Sequence, residues 1–277
     1  MKNQEKARSI IASFTVLMLT LCTVVWIGLI TINPFFFSQD AMTEAMVKSS
    51  FTNNVYDEWV AKSKDIATQY GVDEEIIEGI VSLEKMESDI QLTLHETSLD
   101  GDPYIDTLNL SQELRSRLVA FMEEQELTLT SEVQAGIDEL VTLITDDYIR
   151  SATIPYYDLY LSARDRIGIP SRNLSIILFL LIVSLAYFLD RLLPRRQWYR
   201  SMTTVLLSAG WIYFLIPGYL YVEGFYDRIQ IRPYSIQRLA ALLLENGLVK
   251  LIGVGFVLVL VGSILMYLSL SKKETVA

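Results

Sequence analysis

The chain has 277 residues, 51% of them hydrophobic, and a formal net charge of -10; its mean hydropathy of +0.32 places it in the membrane class rather than among ordinary soluble domains. The acidic balance excludes nucleic acid as a partner held through its phosphates. One Cys and one His exclude by count both a three-His zinc site and a thiolate zinc site.

Four runs contain no Asp, Glu, Lys, Arg or His: residues 10–32, 174–189, 202–222 and 251–270. Each is near the roughly 20 residues a helix needs to cross the hydrocarbon core. After a short N-terminus, residues 1–9, the first run is too long for the core of a typical signal peptide and no A-x-A-like site follows it. It is therefore expected to be an uncleaved anchor. The spans are placed at 10–32, 171–190, 201–222 and 247–271, with residues 272–277 as a short tail.

Between the first two spans lie residues 33–170, with 27 Asp and Glu against 9 Lys and Arg, a local charge of -18. The acidity of the whole chain is the acidity of this segment. Its apolar residues recur at helical spacing. One helix is expected from Val55 through Trp59, Ile66 and Tyr70, stopped by Gly71. A second is expected through Ile76, Ile80, Leu83, Ile90 and Leu94, with Asp73, Glu74 and Glu75 in its first turn, where the helix dipole favours acids.

The turn-rich stretch "TSLDGDPYIDTLN" follows, and then a third helix marked by Leu114, Leu118 and Phe121. Ser131 with Gln134 reads as a capping box for a fourth helix, carried by Val133, Ile137, Leu140 and Ile144. Pro155 suits the first turn of a fifth, expected to end near Gly168 to Pro170. The segment thus reads as an antiparallel helical bundle.

The 191–200 loop belongs to "DRLLPRRQWYR", which packs four arginines into eleven residues. Lys2, Lys6 and Arg8 precede the first span, and Lys272 and Lys273 follow the fourth. Loops rich in Lys and Arg stay cytoplasmic, and these three regions agree: both termini inside, residues 33–170 and 223–246 outside. The outer loop 223–246 carries Arg228, Arg232 and Arg238. They are expected to help dock it against the acidic bundle, beside an interfacial helix from Ser235 to Gly247.

No HExxH, GxSxG or GxxxxGK[ST] occurs, so no catalytic residue and no cofactor are assigned. Asp100, Asp102 and Asp106, with His95 and Glu96 just before them, could gather oxygen ligands around Ca2+. The spacing fails the EF-hand pattern at Ile105 and Ser111, and turn chemistry alone accounts for those residues. Ionisable residues are missing at membrane depth, where pumps and intramembrane proteases place them.

The fold class expected is all-α, four transmembrane helices with an extracytoplasmic helical bundle inserted between the first two. The setting expected is a plasma membrane, and the lack of any disulfide in the outer segment points to a bacterial surface. The function expected is a non-enzymatic surface protein, in contact with membrane lipids, whose outer domain binds or senses a partner. It would act through another membrane or cell-surface protein, since the cytoplasmic segments are short. The alternatives are an accessory subunit or oligomeric pore of a transport complex, and an extracytoplasmic metal-dependent membrane enzyme using the acidic turn.

Overall fold

The computed structural model describes residues 2–97 and 105–271. Among them every regular element is helical: α1 Lys2–Ile32, a π-helical turn Asn33–Phe37, α2 Gln39–Ser49, α3 Phe51–Gln69, a 3-10 turn Glu74–Ile77 and α4 Leu83–Thr97. The chain continues through α5 Leu108–Glu124, α6 Ser131–Ala152, α7 Tyr157–Leu192, α8 Arg195–Val222, a 3-10 turn Phe225–Arg228 and α9 Tyr234–Ser271. It divides into two compact units, one of Met1–Ala45, Ser162–Ile229 and Ala240–Ala277, the other of Met46–Leu161 and Gln230–Leu239.

Among the described residues four stretches are long and apolar enough to cross a membrane. They are Lys6–Phe37, the apolar part of Ser131–Leu192, Arg195–Val222 and Tyr234–Leu268. Their outward side chains are apolar, as lipid requires: Ile177, Leu180, Phe256 and Ile264 are all more than half exposed. On α1 the buried face reads Ala12, Thr15, Leu19, Thr23, Ile27, Thr31, a 3–4 spacing that forms one stripe, and α1 packs on α8.

The threonines of that stripe are chemically quiet. Thr15, Thr23 and Thr31 each donate to the carbonyl four residues back, at 2.8, 2.7 and 2.7 Å, so the stripe packs by shape. The specific polar link is Tyr213 of α8, whose hydroxyl donates to the Val24 carbonyl at 2.6 Å. Between α8 and α9 the backbones come close. A Cβ on Gly255 would lie 2.5 Å from the Phe214 nitrogen and 2.6 Å from the Tyr213 carbonyl carbon. Small residues permit this approach in lipid, where dispersion contacts hold helices together.

The second unit is a helix bundle in which α3 packs on α4 and α6, and α5 on α6. Phe51, Val55, Trp59, Ser63 and Ala67 recur every four residues on α3 and are buried. Leu110, Leu114 and Leu118 of α5 and Ile137, Leu140, Ile144 and Tyr148 of α6 are also buried, and with the α3 residues they make up the apolar core of this unit. Trp59 and Tyr148 meet edge to face, their ring centroids 5.3 Å apart at 77°, the arrangement favoured by aromatic quadrupoles.

Several expected boundaries move. The helix expected from Asp73 through Leu94 is two elements: the 3-10 turn Glu74–Ile77, capped by the Asp73 side chain at 3.0 Å, and α4 from Leu83. Gly79 takes φ +68° between them, a left-handed conformation that ends one helix and redirects the chain. The cap of α6 is Thr130 in place of Ser131, with Thr130 in extended backbone and its hydroxyl accepting from the Val133 amide at 3.3 Å.

No break precedes the second span. α7 runs from Tyr157 to Leu192 with Pro170 inside it, because neighbouring structure tolerates the missing amide in a long membrane helix. Likewise no separate interfacial helix ends at Gly247, since α9 continues through it to Ser271. Gly247 is where the Phe36 ring packs directly on the helix backbone, a close approach rather than a stop.

Candidate functional site

Within the second unit, an open cleft of about 620 Å³ lies between the Gly79–Ser82 segment, the start of α4 and the start of α5. Lys85, Asp106, Asn109, Gln112 and Glu113 line its walls, and Tyr148 reaches it from α6. Both helix starts are locally capped: the Ser82 hydroxyl accepts from the Lys85 amide at 3.2 Å, and an Asp106 carboxylate oxygen accepts from the Leu108 amide at 3.0 Å. The mouth thus carries one cation, two acids and two amides, a set suited to polar recognition.

Beneath it sits a buried polar chain. Asp89 is 3% exposed on the otherwise apolar face of α4, and accepts from Lys85 Nζ at 2.7 Å and from the Tyr148 hydroxyl at 2.5 Å. Two charge-assisted bonds meet the requirement that a buried carboxylate be satisfied. Burial, reinforced by the bond to Asp89, pushes the Tyr148 phenol above its usual range, because both favour the neutral form. Arg117 fixes the rim: it pairs with Glu113 at 2.8 Å and donates to the Ile76 and Glu78 carbonyls at 3.2 and 2.7 Å.

A second polar contact in this unit joins α3 to the start of α9. The Glu58 carboxylate accepts from both the amide and the hydroxyl of Ser235, at 2.9 and 2.7 Å. Ser235 is in the first turn of α9, where free amides and the helix dipole favour a negative group, so Glu58 caps α9 from another helix. Ile236 and Leu239, 7% and 3% exposed, bury the apolar side of the same turn.

Of the residues singled out from sequence, Asp106 lines the cleft and His95 lies in the last turn of α4. Asp100, Asp102 and the side chain of Glu96 lie outside the described residues. Among the described residues no group of three or more His, Cys, Asp or Glu is arranged to hold a metal ion. Arg228 pairs with Glu223 of its own loop at 2.9 Å, while Arg232 and Arg238 are exposed. Sequence reasoning missed Glu58, Lys85, Asp89 and Tyr148. The one local signal was Asp89 with Thr93 on the apolar register of Met86 and Ile90; Glu58 and Ser235 are 177 residues apart, beyond any local pattern.

No family model, curated protein or solved structure matches this chain.

Proposed function

We propose that this chain is a non-enzymatic multipass protein of the cell membrane whose bundle faces the extracytoplasmic side and senses or binds a polar partner in the Lys85–Tyr148 cleft. The basic character of the 191–200 loop and of both ends of the chain supports this orientation through the positive-inside rule. The observation that carries the reading is the Glu58 cap on Ser235. It ties the bundle that holds the cleft to the first turn of α9, a helix that continues without interruption into the fourth apolar stretch. A partner that alters the packing of α3 or α4 therefore alters the hold on α9, and a neighbouring membrane protein receives the change.

The test is site-specific photocrosslinking in intact cells, with the probe at Gln112 in the cleft or at Glu124 at the far end of α5. A discrete adduct from position 112 and none from position 124 is expected, with the adduct weakened by Lys85→Gln. Equal labelling at both positions, or none at 112, overturns the reading.

A further inference from the structure

At the other pole of the charge pattern, the first unit contains a cavity of about 650 Å³ between the start of α1, the end of α7 and the start of α8. Arg8 and Arg200 enter it from different helices. Neither guanidinium pairs with a carboxylate among the described residues. Two like charges facing one cavity repel each other, and the N-terminal turn of α8, a 28-residue helix starting at Arg195, adds a partial positive charge of the same sign.

The serines at this cavity differ from the threonines, including Thr204, which also lines it and donates to the Arg200 carbonyl at 3.0 Å. Thr15, Thr20, Thr23 and Thr31 of α1 all donate back to their own helix. Ser9 and Ser13, one turn apart on the same face of α1, and Ser201 of α8 also line the cavity, and none of the three has a hydrogen-bond partner among the described residues. Ser9 and Ser13 are exposed and Ser201 is half-buried, so these hydroxyls, unlike the back-bonded threonines, are open to a ligand. Here two cations and three unengaged hydroxyls converge on one space.

We infer that this cavity binds a phosphate ester, and that its source is the headgroup of an anionic phospholipid. Arg8 and Arg200 would take the phosphate oxygens through charge-assisted bonds, with Ser9, Ser13 and Ser201 donating to the remaining oxygens. The volume falls within the range of about 300–1,000 Å³ usual for small-ligand sites. The source follows from the flank: Ile10 and Phe14 beside the cavity are 70% and 61% exposed, an apolar track for acyl chains where a soluble ester would meet none. A second cavity of about 420 Å³ in this unit also has two arginines, Arg164 and Arg172. There Arg164 is already paired with Asp165 at 3.0 Å, so it serves as an internal control.

The experiment is a thermal-shift titration of the purified full chain in a neutral detergent, with short-chain phosphatidylglycerol, phosphatidylcholine, glycerol phosphate and inorganic phosphate as separate probes. Phosphatidylglycerol is expected to raise the unfolding temperature saturably and phosphatidylcholine to do so far less. The Arg8→Gln/Arg200→Gln variant should weaken the apparent affinity by roughly tenfold or more, as the loss of charged hydrogen bonds implies, while Arg164→Gln/Arg172→Gln keeps it. If the double variant fails to fold, Arg8→Lys/Arg200→Lys retains the charge without the bidentate fork and should give an intermediate affinity. Saturation by glycerol phosphate or inorganic phosphate as strong as by the lipid would keep the phosphate site and overturn its lipid source. No saturable shift with any phosphate, or a shift unchanged in the arginine variants, overturns the site.

Discussion

Tyr148 donates its hydroxyl proton to Asp89 at 2.5 Å, across 59 residues of sequence and at a place where Asp89 is 3% exposed. This bond holds α6 to α4 under the cleft. It also makes the bundle sensitive to alkali in a predictable direction.

Tyr148→Phe should lower stability at neutral pH by about 1.5–3 kcal/mol, the range for a hydrogen bond to a charged group. The folded-state phenol is raised above the ordinary value of 10.0, so the unfolded chain releases this proton first as pH rises. The stabilisation is complete below about pH 10 and declines above it. Chemical denaturation of both forms at pH 8 and pH 11 checks this: the gap between wild type and variant should narrow at pH 11, and a constant gap would remove Tyr148 as the alkaline-sensitive group.

Glu58 makes its two bonds to the first turn of α9, and a helix cap lost to alanine costs about 0.5–2 kcal/mol. Glu58→Ala should accelerate amide hydrogen exchange at positions 234–239 while leaving the core of α6 protected. Ser235→Ala should produce a smaller effect, because the amide bond to Glu58 survives. Exchange rates in that turn identical to wild type in Glu58→Ala would show that the cap contributes nothing.

The four spans and the acidic segment could be read in the sequence because each depends on composition over many residues: charge-free runs of sufficient length, and a local excess of carboxylates. The helix breaks were harder. Apolar spacing continues through Ile76, Ile80 and Leu83 as though one helix ran there, yet the left-handed backbone of Gly79 outweighs it. At Pro170 the error ran the other way, since a local rule for stopping helices gave way to one long helix running from Tyr157 to Leu192. The cleft was illegible for a different reason. Lys85, Asp89 and Tyr148 become a unit only when α4 and α6 pack, and Asp89 alone resembles any of the many acids around it.

Among the glycines of α8 and α9, Gly255 has the nearest backbone neighbour, with the Phe214 nitrogen 2.5 Å from a hypothetical Cβ. Gly255→Ala must push backbone rather than a movable side chain, and overpacking of this kind costs about 1–3 kcal/mol. The thermal midpoint in detergent should fall, while Gly253→Ala, which meets no atom within 4 Å, should leave it unchanged. Equal midpoints for the two variants would mean that the close approach is dispensable.

The orientation in the membrane is open to direct measurement in a Cys22→Ser background. With single cysteines at Gln125 and Gln197, an impermeant thiol reagent on intact cells should modify the first and not the second, as the positive-inside rule requires. Labelling at position 197 alone would invert the topology.

The threonines of α1 have a consequence for assembly. Because Thr15, Thr23 and Thr31 close their hydroxyls onto their own helix, α1 presents no unmet donor from that stripe to the hydrocarbon while it is still alone. The stripe is satisfied within α1 whether or not another helix lies beside it. The Tyr213 hydroxyl reaches outside its own helix to the Val24 carbonyl, so α8 is complete only when α1 is already there. The hydroxyls of the stripe are settled within their own helix, whereas the Tyr213 hydroxyl fixes the register of α8 against α1.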